Sequence, residues 1–120
     1  MAHRILVVED NELAADALQA LFESFGYLVR TADSVRAAID ACADGPTDLM
    51  LLDLTLPDGD GLSVLAAVAP LGRLPGTTVA LTGHDDPRIT QRCLDAGCRE
   101  VLIKPVGGRD LLARAAAWLA

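Results

Sequence analysis

DLMLLD, from Asp48 to Asp53, runs four apolar side chains without a break between two aspartates. A strand covered on one face alternates polar with apolar residues, so an unbroken run of strand length is the mark of a strand buried on both faces. A second such run, ILVV from Ile5 to Val8, stands near the start of the chain. Outward from these two, apolar runs alternate with stretches at helical spacing, which places strands at residues 4–8, 27–31, 48–52, 77–82 and 100–103 with helices in the gaps. Asn11 reads as the N-cap of the first helix, Ala14, Leu18, Leu21 and Phe25 as its apolar face, and Gly26 as its stop. The fourth helix opens with Asp86-Pro87 and stops at Gly97, and the last runs from about Arg109 to the end. Strand 2 carries Arg30 and strand 5 opens with Glu100, so strands 1 and 3 are the central pair. Right-handed crossovers between parallel strands then favour an α/β fold: a doubly wound five-stranded parallel sheet in the order 2-1-3-4-5, with helices on both faces.

A chain of 120 residues has room for one domain, spanning 1–120. Hydrophobic residues make up 52% and charged residues 22%, the composition of a globular domain with a real core. Ten basic against seventeen acidic residues give a net charge of −7, and the aromatic residues are only Phe22, Phe25, Tyr27 and Trp118. Neither phosphate neutralisation nor base stacking has the residues it needs, which argues against nucleic acid as a partner of this domain. No apolar run approaches the roughly eighteen residues of a membrane span, and the run after Arg4 is too short for a signal peptide, so no membrane partner and a cytoplasmic location are expected. Cys42, Cys93 and Cys98 form an odd set with no Cys-x-x-Cys pair and no neighbouring histidine, and read as small buried hydrophobes.

In a doubly wound sheet the ligand site lies beyond the carboxyl ends of the strands, at the point where the strand order reverses. Here that point falls between strands 1 and 3. The residues leaving the strands are Glu9 and Asp10 after strand 1, Asp53 after strand 3, Thr82 closing strand 4 and Lys104 after strand 5. Three carboxylates held together repel one another, and a divalent cation relieves the repulsion. Oxygen-only ligands in a small open cluster favour Mg²⁺ over Ca²⁺. Three carboxylates and one ammonium leave two net negative charges, which one such ion neutralises, so the site is suited to accept a phosphoryl group on Asp53. Lys104 is the only lysine of the chain, all other basic residues being arginine, and a compact charge on a flexible stem can follow a phosphate. Taken singly, Glu9-Asp10 is also an ordinary helix start, Thr82 an ordinary strand residue and His84 a solvated loop histidine.

VVEDN (Val7 to Asn11), LLDLTLPDGDG (Leu51 to Gly61), LTG (Leu81 to Gly83) and IKP (Ile103 to Pro105) together resemble the receiver domain of two-component response regulators, over nearly the whole chain. The resemblance implies the flavodoxin-like (βα)5 fold, with Asp53 as phosphoacceptor. It also implies Mg²⁺ held by Glu9, Asp10, Asp53 and the backbone carbonyl of Thr55, and Thr82 and Lys104 on the phosphoryl oxygens. It implies a cis peptide at Lys104-Pro105 as well, a geometry almost confined to X-Pro bonds. The donor would be a phosphohistidine on a histidine kinase or histidine phosphotransfer protein, and the domain would be a signalling module rather than an enzyme with a separate substrate. Thr55 and His84 match two variable positions that flank the approach of water, so His84 is expected to tune dephosphorylation. Val101 occupies a switch position where the family often has tyrosine or phenylalanine. A valine has no ring to turn, so coupling is expected to run through the loop from Gly83 to Pro87.

Other readings are a receiver that binds partners without phosphorylation, a haloacid-dehalogenase-type phosphatase and a flavin carrier. The phosphatase needs a second acid at position 55, where this chain has threonine, and the carrier needs a phosphate loop where this chain has Glu9 and Asp10. Met1 just before strand 1 reads as a native start, and a stand-alone receiver and the receiver of a longer regulator are equally compatible with the last helix. Output would then fall to a separate protein target or to an output domain outside these residues.

Overall fold

The computed structural model describes residues 2–120, so the reading of Met1 as a start lies outside the described residues. Five parallel strands form one sheet: β1 (Arg4–Val8), β2 (Leu28–Ala32), β3 (Leu49–Asp53), β4 (Thr77–Thr82) and β5 (Glu100–Ile103), in the order β2-β1-β3-β4-β5. The flavodoxin-like order expected from the sequence is the one found. Every residue of β3 is buried, and so are Ile5 to Val8 of β1, as their unbroken apolar runs require. β2 lies at one edge and is largely exposed, which accommodates Arg30. Relative to the expected spans, β2 and β3 each start and end one residue later, so that Asp53 closes β3 rather than following it.

Five helices cover the sheet: α1 (Glu12–Glu23), α2 (Val35–Asp44), α3 (Ser63–Val68), α4 (Pro87–Asp95) and α5 (Gly108–Trp118). Strand alternation divides the core in two. Ile5, Val7, Leu49, Leu51, Val79 and Leu81 meet Phe22 of α1 and Leu111, Ala115 and Trp118 of α5 on one face. Leu6, Val8, Met50, Leu52 and Ala80 meet α2, α3 and α4 on the other. Cys42, Cys93 and Cys98 are free thiols inside that second core. Burial raises all three, Cys98 to about 12, so they stay protonated and apolar in behaviour.

Local chemistry explains the helix ends. Asn11 accepts the Ala14 N–H at 3.0 Å as the N-cap of α1, and Ser34 accepts the Ala37 N–H at 3.0 Å as that of α2. Asp86 caps α4, with Pro87 at the first helical position. Gly97, at φ 108°, closes α4 in a left-handed turn in which the Cys98 N–H reaches the Cys93 carbonyl at 3.0 Å. One expectation is corrected. Gly26, at φ 88°, stops α1 in the expected left-handed turn, the Tyr27 N–H reaching the Phe22 carbonyl at 3.2 Å, but Phe25 is 66% exposed while Phe22 is fully buried. The helix is capped by Ser24, so the apolar stripe ends at Phe22, which packs edge-on to Tyr27 at a centroid distance of 5.8 Å.

Between β3 and α3 the chain makes a small antiparallel hairpin, Thr55–Leu56 against Gly59–Asp60. Gly61 follows it, donating its N–H to the Leu54 carbonyl at 2.9 Å. A Cβ at Gly61 would run into the Asp53 carbonyl oxygen and come within 3.1 Å of the Leu54 Cα, both of them backbone. Gly61→Ala is therefore expected to push the Asp53 backbone out of register and cost about 1–3 kcal/mol, read as a lowered midpoint in urea unfolding.

Candidate functional site

The parallel register carries the five residues predicted for the site to one edge. Val8 pairs with Leu52, Asp53 with Leu81 and Thr82 with Ile103, so Glu9, Asp53, Thr82 and Lys104 leave the sheet side by side. Backbone bonds continue the ladder past the strand ends, the Lys104 N–H donating to the Thr82 carbonyl at 2.7 Å and the Glu9 N–H to the Ala32 carbonyl at 2.9 Å.

Asp53 is only 7% exposed, and each of its carboxylate oxygens has a partner. Oδ1 accepts the Thr55 N–H at 3.2 Å, and Oδ2 accepts from the Lys104 ammonium at 3.1 Å. The same ammonium donates to Glu9 Oε1 at 3.2 Å. Asp10 is exposed, at the mouth of the cluster, and oxygens of Glu9, Asp10 and Asp53 all lie within 4.8 Å of one another.

The electrostatics separate Glu9 from Asp53. Burial and the neighbouring Asp53 push the Glu9 carboxyl above its ordinary range, against the pull of Lys104. Burial also works to raise Asp53, but the hydrogen bonds from Glu9, the Thr55 N–H and Lys104 outweigh it and hold Asp53 below the usual aspartate range. Burial works to lower Lys104, yet the two carboxylates keep its ammonium above the ordinary lysine range. The downward shift of Asp53 favours the ionised form that a nucleophile needs.

The donor set fits a hard divalent cation. It consists of carboxylate oxygens without nitrogen or sulfur, and one member is open to solvent. Residues Glu9, Asp10 and Asp53 are the ones that would hold it.

Thr82 is buried at the end of β4, its hydroxyl oxygen accepting the His84 N–H at 3.1 Å. His84 itself is exposed on the loop. The Lys104-Pro105 bond is cis, as expected, and the chain turns there with the Lys104 side chain on the carboxylates. Val101 is partly buried against the α2–α3–α4 core.

Three features escaped sequence reasoning. The hairpin itself is built from two-residue arms, too short for periodicity to register. Asp58 at its tip grips the start of α2, its carboxylate accepting the Val35 N–H at 2.7 Å and the Arg36 N–H at 3.0 Å; these bonds hold it below the usual aspartate range. Asp60 pairs with Arg92 of α4. The Pro57-Asp58-Gly59 run signals a turn, but partners more than twenty residues away leave no mark in local spacing.

Comparison with known proteins bears on this geometry. The chain matches the model of the response regulator receiver domain over residues 5–116. It is 34% identical over 110 residues to the transcriptional regulatory protein KdpE of Mycobacterium tuberculosis, covering 92% of this chain and 48% of that protein. It is 38% identical over 111 residues to the transcriptional regulatory protein DltR of Streptococcus agalactiae, covering 92% and 49%. The chain thus spans about half the length of these curated relatives. Among solved structures, a CheY-like response regulator receiver domain protein from Methanospirillum hungatei superposes with a TM-score of 0.90 at 28% identity, covering 99% of this chain and 94% of that one. Among the described residues no helix is long and apolar enough to cross a membrane. Sheet order, family match and relatives agree, and the chain belongs to the response regulator receiver domain family of two-component signalling.

Proposed function

We propose that Asp53 accepts a phosphoryl group from a phosphohistidine on a histidine kinase or histidine phosphotransfer protein, and that the aspartyl phosphate controls a protein partner. The observation that carries this reading is an ionised, nearly buried carboxylate closing the central strand, with an ammonium at 3.1 Å and two further acids within reach of one cation.

In the transfer an Asp53 oxygen attacks phosphorus, the P–O bond forms as the P–N bond to the imidazole breaks, and the leaving imidazole takes up a proton. The Thr55 N–H and Lys104 hold the carboxylate oriented before the attack, which lowers the entropic part of the barrier. As the group arrives, one negative charge becomes two, and the Lys104 ammonium and the Thr82 hydroxyl stand at the adjacent strand ends to share it. Glu9, Asp10, Asp53 and the Thr55 carbonyl would hold Mg²⁺. When bound, Mg²⁺ neutralises the excess acidity and polarises the phosphoryl oxygens. Hydrolysis returns the carboxylate, with His84 and Thr55 flanking the approach of water and setting the phosphoryl lifetime. We place this chemistry in the cytoplasm, within a single receiver domain over residues 1–120, its output belonging to a separate protein or a further domain.

Val101 favours one second reading, a receiver that binds partners without phosphorylation. A single experiment separates the two. With acetyl phosphate and Mg²⁺ the chain is expected to gain the mass of one phosphoryl group by intact mass spectrometry, whereas Asp53→Asn gains none; an unchanged parent mass would support the second reading. Lys104→Ala is expected to slow phosphorylation by about 100-fold, the usual cost of removing a charge-stabilising donor, as read by quenched-time-point mass spectrometry. Chelation with EDTA should abolish the reaction, and Asp10→Asn should raise the Mg²⁺ concentration giving half-maximal rate.

A further inference from the structure

Beside Thr82, between the hairpin and α4, lies a cavity of about 320 Å³, its lining including Thr55, Thr82, His84, Ile89 and Arg92. From α4 the Arg92 guanidinium pairs with Asp60 Oδ2. The other oxygen of Asp60, Oδ1, accepts the Leu62 N–H at 2.9 Å and so is anchored at the start of α3. Arg88 and Gln91 of α4 turn back locally, Arg88 toward Asp86 and Gln91 toward Asp95. Arg92 is thus the polar tie between α4 and the hairpin among the described residues.

Thr82 links this tie to the reacting carboxylate. Its hydroxyl oxygen accepts the His84 N–H. A rotation about χ1 that carries the Thr82 oxygen to a phosphoryl group on Asp53 would break its bond to the His84 N–H. The loop of residues 83–86 would then lose a tie just before the start of α4, where Asp86 holds the Arg88 N–H at 2.9 Å. Arg92, one and a half turns further along the same helix, resists a shift of the helix while it stays paired with Asp60.

We propose that Arg92 and Asp60 form a clasp that holds α4 against the hairpin in the unphosphorylated protein and acts as a brake on the displacement that accompanies phosphorylation. This inference rests on Asp53 being the phosphoacceptor. Both residues are positioning residues, acting through Thr82 and His84. The pair is about half exposed, at 58% and 46% for the side chains, so its release changes the balance between the two arrangements by a modest factor of roughly two- to fivefold.

The test compares the initial rate of phosphorylation by acetyl phosphate and Mg²⁺ in the parent chain, Arg92→Gln, Asp60→Asn, the double variant and Arg92→Lys. Asp60→Asn retains a side-chain oxygen for the Leu62 N–H, and Arg92 is exposed, so thermal unfolding should confirm that the variants are folded. The clasp predicts that Arg92→Gln and Asp60→Asn both react roughly two- to fivefold faster, and that the double variant gains no more than either single one. Arg92→Lys, which keeps the charge, should stay near the parent. Without any phosphoryl donor, amide hydrogen exchange in α4 should quicken in the two neutral variants and not in Arg92→Lys. If Arg92→Gln slows while Asp60→Asn accelerates, the charges act by steering the anionic donor and the clasp is overturned. Unchanged rates in a parent that is phosphorylated overturn the clasp alone; a parent that gains no phosphoryl mass overturns the reading of Asp53 and the brake with it.

Discussion

The site depends on a crowding of like charges that the fold makes unavoidable. Glu9, Asp10 and Asp53 leave neighbouring strands at one edge, and a single ammonium, that of Lys104, stands among them. Like charges at this distance destabilise one another unless a proton or a cation intervenes. The two acids respond in opposite directions: burial shifts Glu9 upward, while hydrogen bonds shift Asp53 downward. The acid with more hydrogen bonds is the one held below its ordinary range. A structural ion pair would need no such excess of carboxylates, and the surplus is what supports the proposed cation site.

The rest of the molecule holds that edge in place. Apolar strands buried on both faces leave the central strands little freedom to slip, since a shift by one residue would bring Asp53 out of line with Glu9 and Lys104. The hairpin after β3 is pinned from two sides, by Asp58 on the start of α2 and by Asp60 on Arg92 of α4. Gly61 lets the hairpin fold back on the Asp53 carbonyl without a side chain in the way. These contacts fix the Thr55 N–H, and through it the orientation of Asp53.

Val101 constrains the phosphoryl switch proposed above. With a branched aliphatic side chain against the core, little at β5 can rotate between two stable positions. In the loop after β4 the Thr82 hydroxyl oxygen accepts the His84 N–H, and α4 is tied to the hairpin by an exposed ion pair. In the switch proposed above, such a pair would be weak enough to yield to a doubly charged group nearby and strong enough to bias the arrangement before that group arrives.

The sheet order, the central strands and the acids, threonine and lysine of the site were legible in the sequence, because unbroken apolar runs and strand-end residues are local signals and a parallel α/β sheet puts every strand's carboxyl end on one edge. Phe25 was misread because periodicity continues past the residue where Ser24 caps the helix, and only packing distinguishes it from Phe22. The bonds of Asp58 to α2, of Asp60 to Arg92 and of Thr82 to the His84 N–H, together with the opposite shifts of Glu9 and Asp53, came from the tertiary structure alone. The first two join residues 22 and more positions apart, and the shifts depend on burial and partner distances that no one-dimensional pattern encodes.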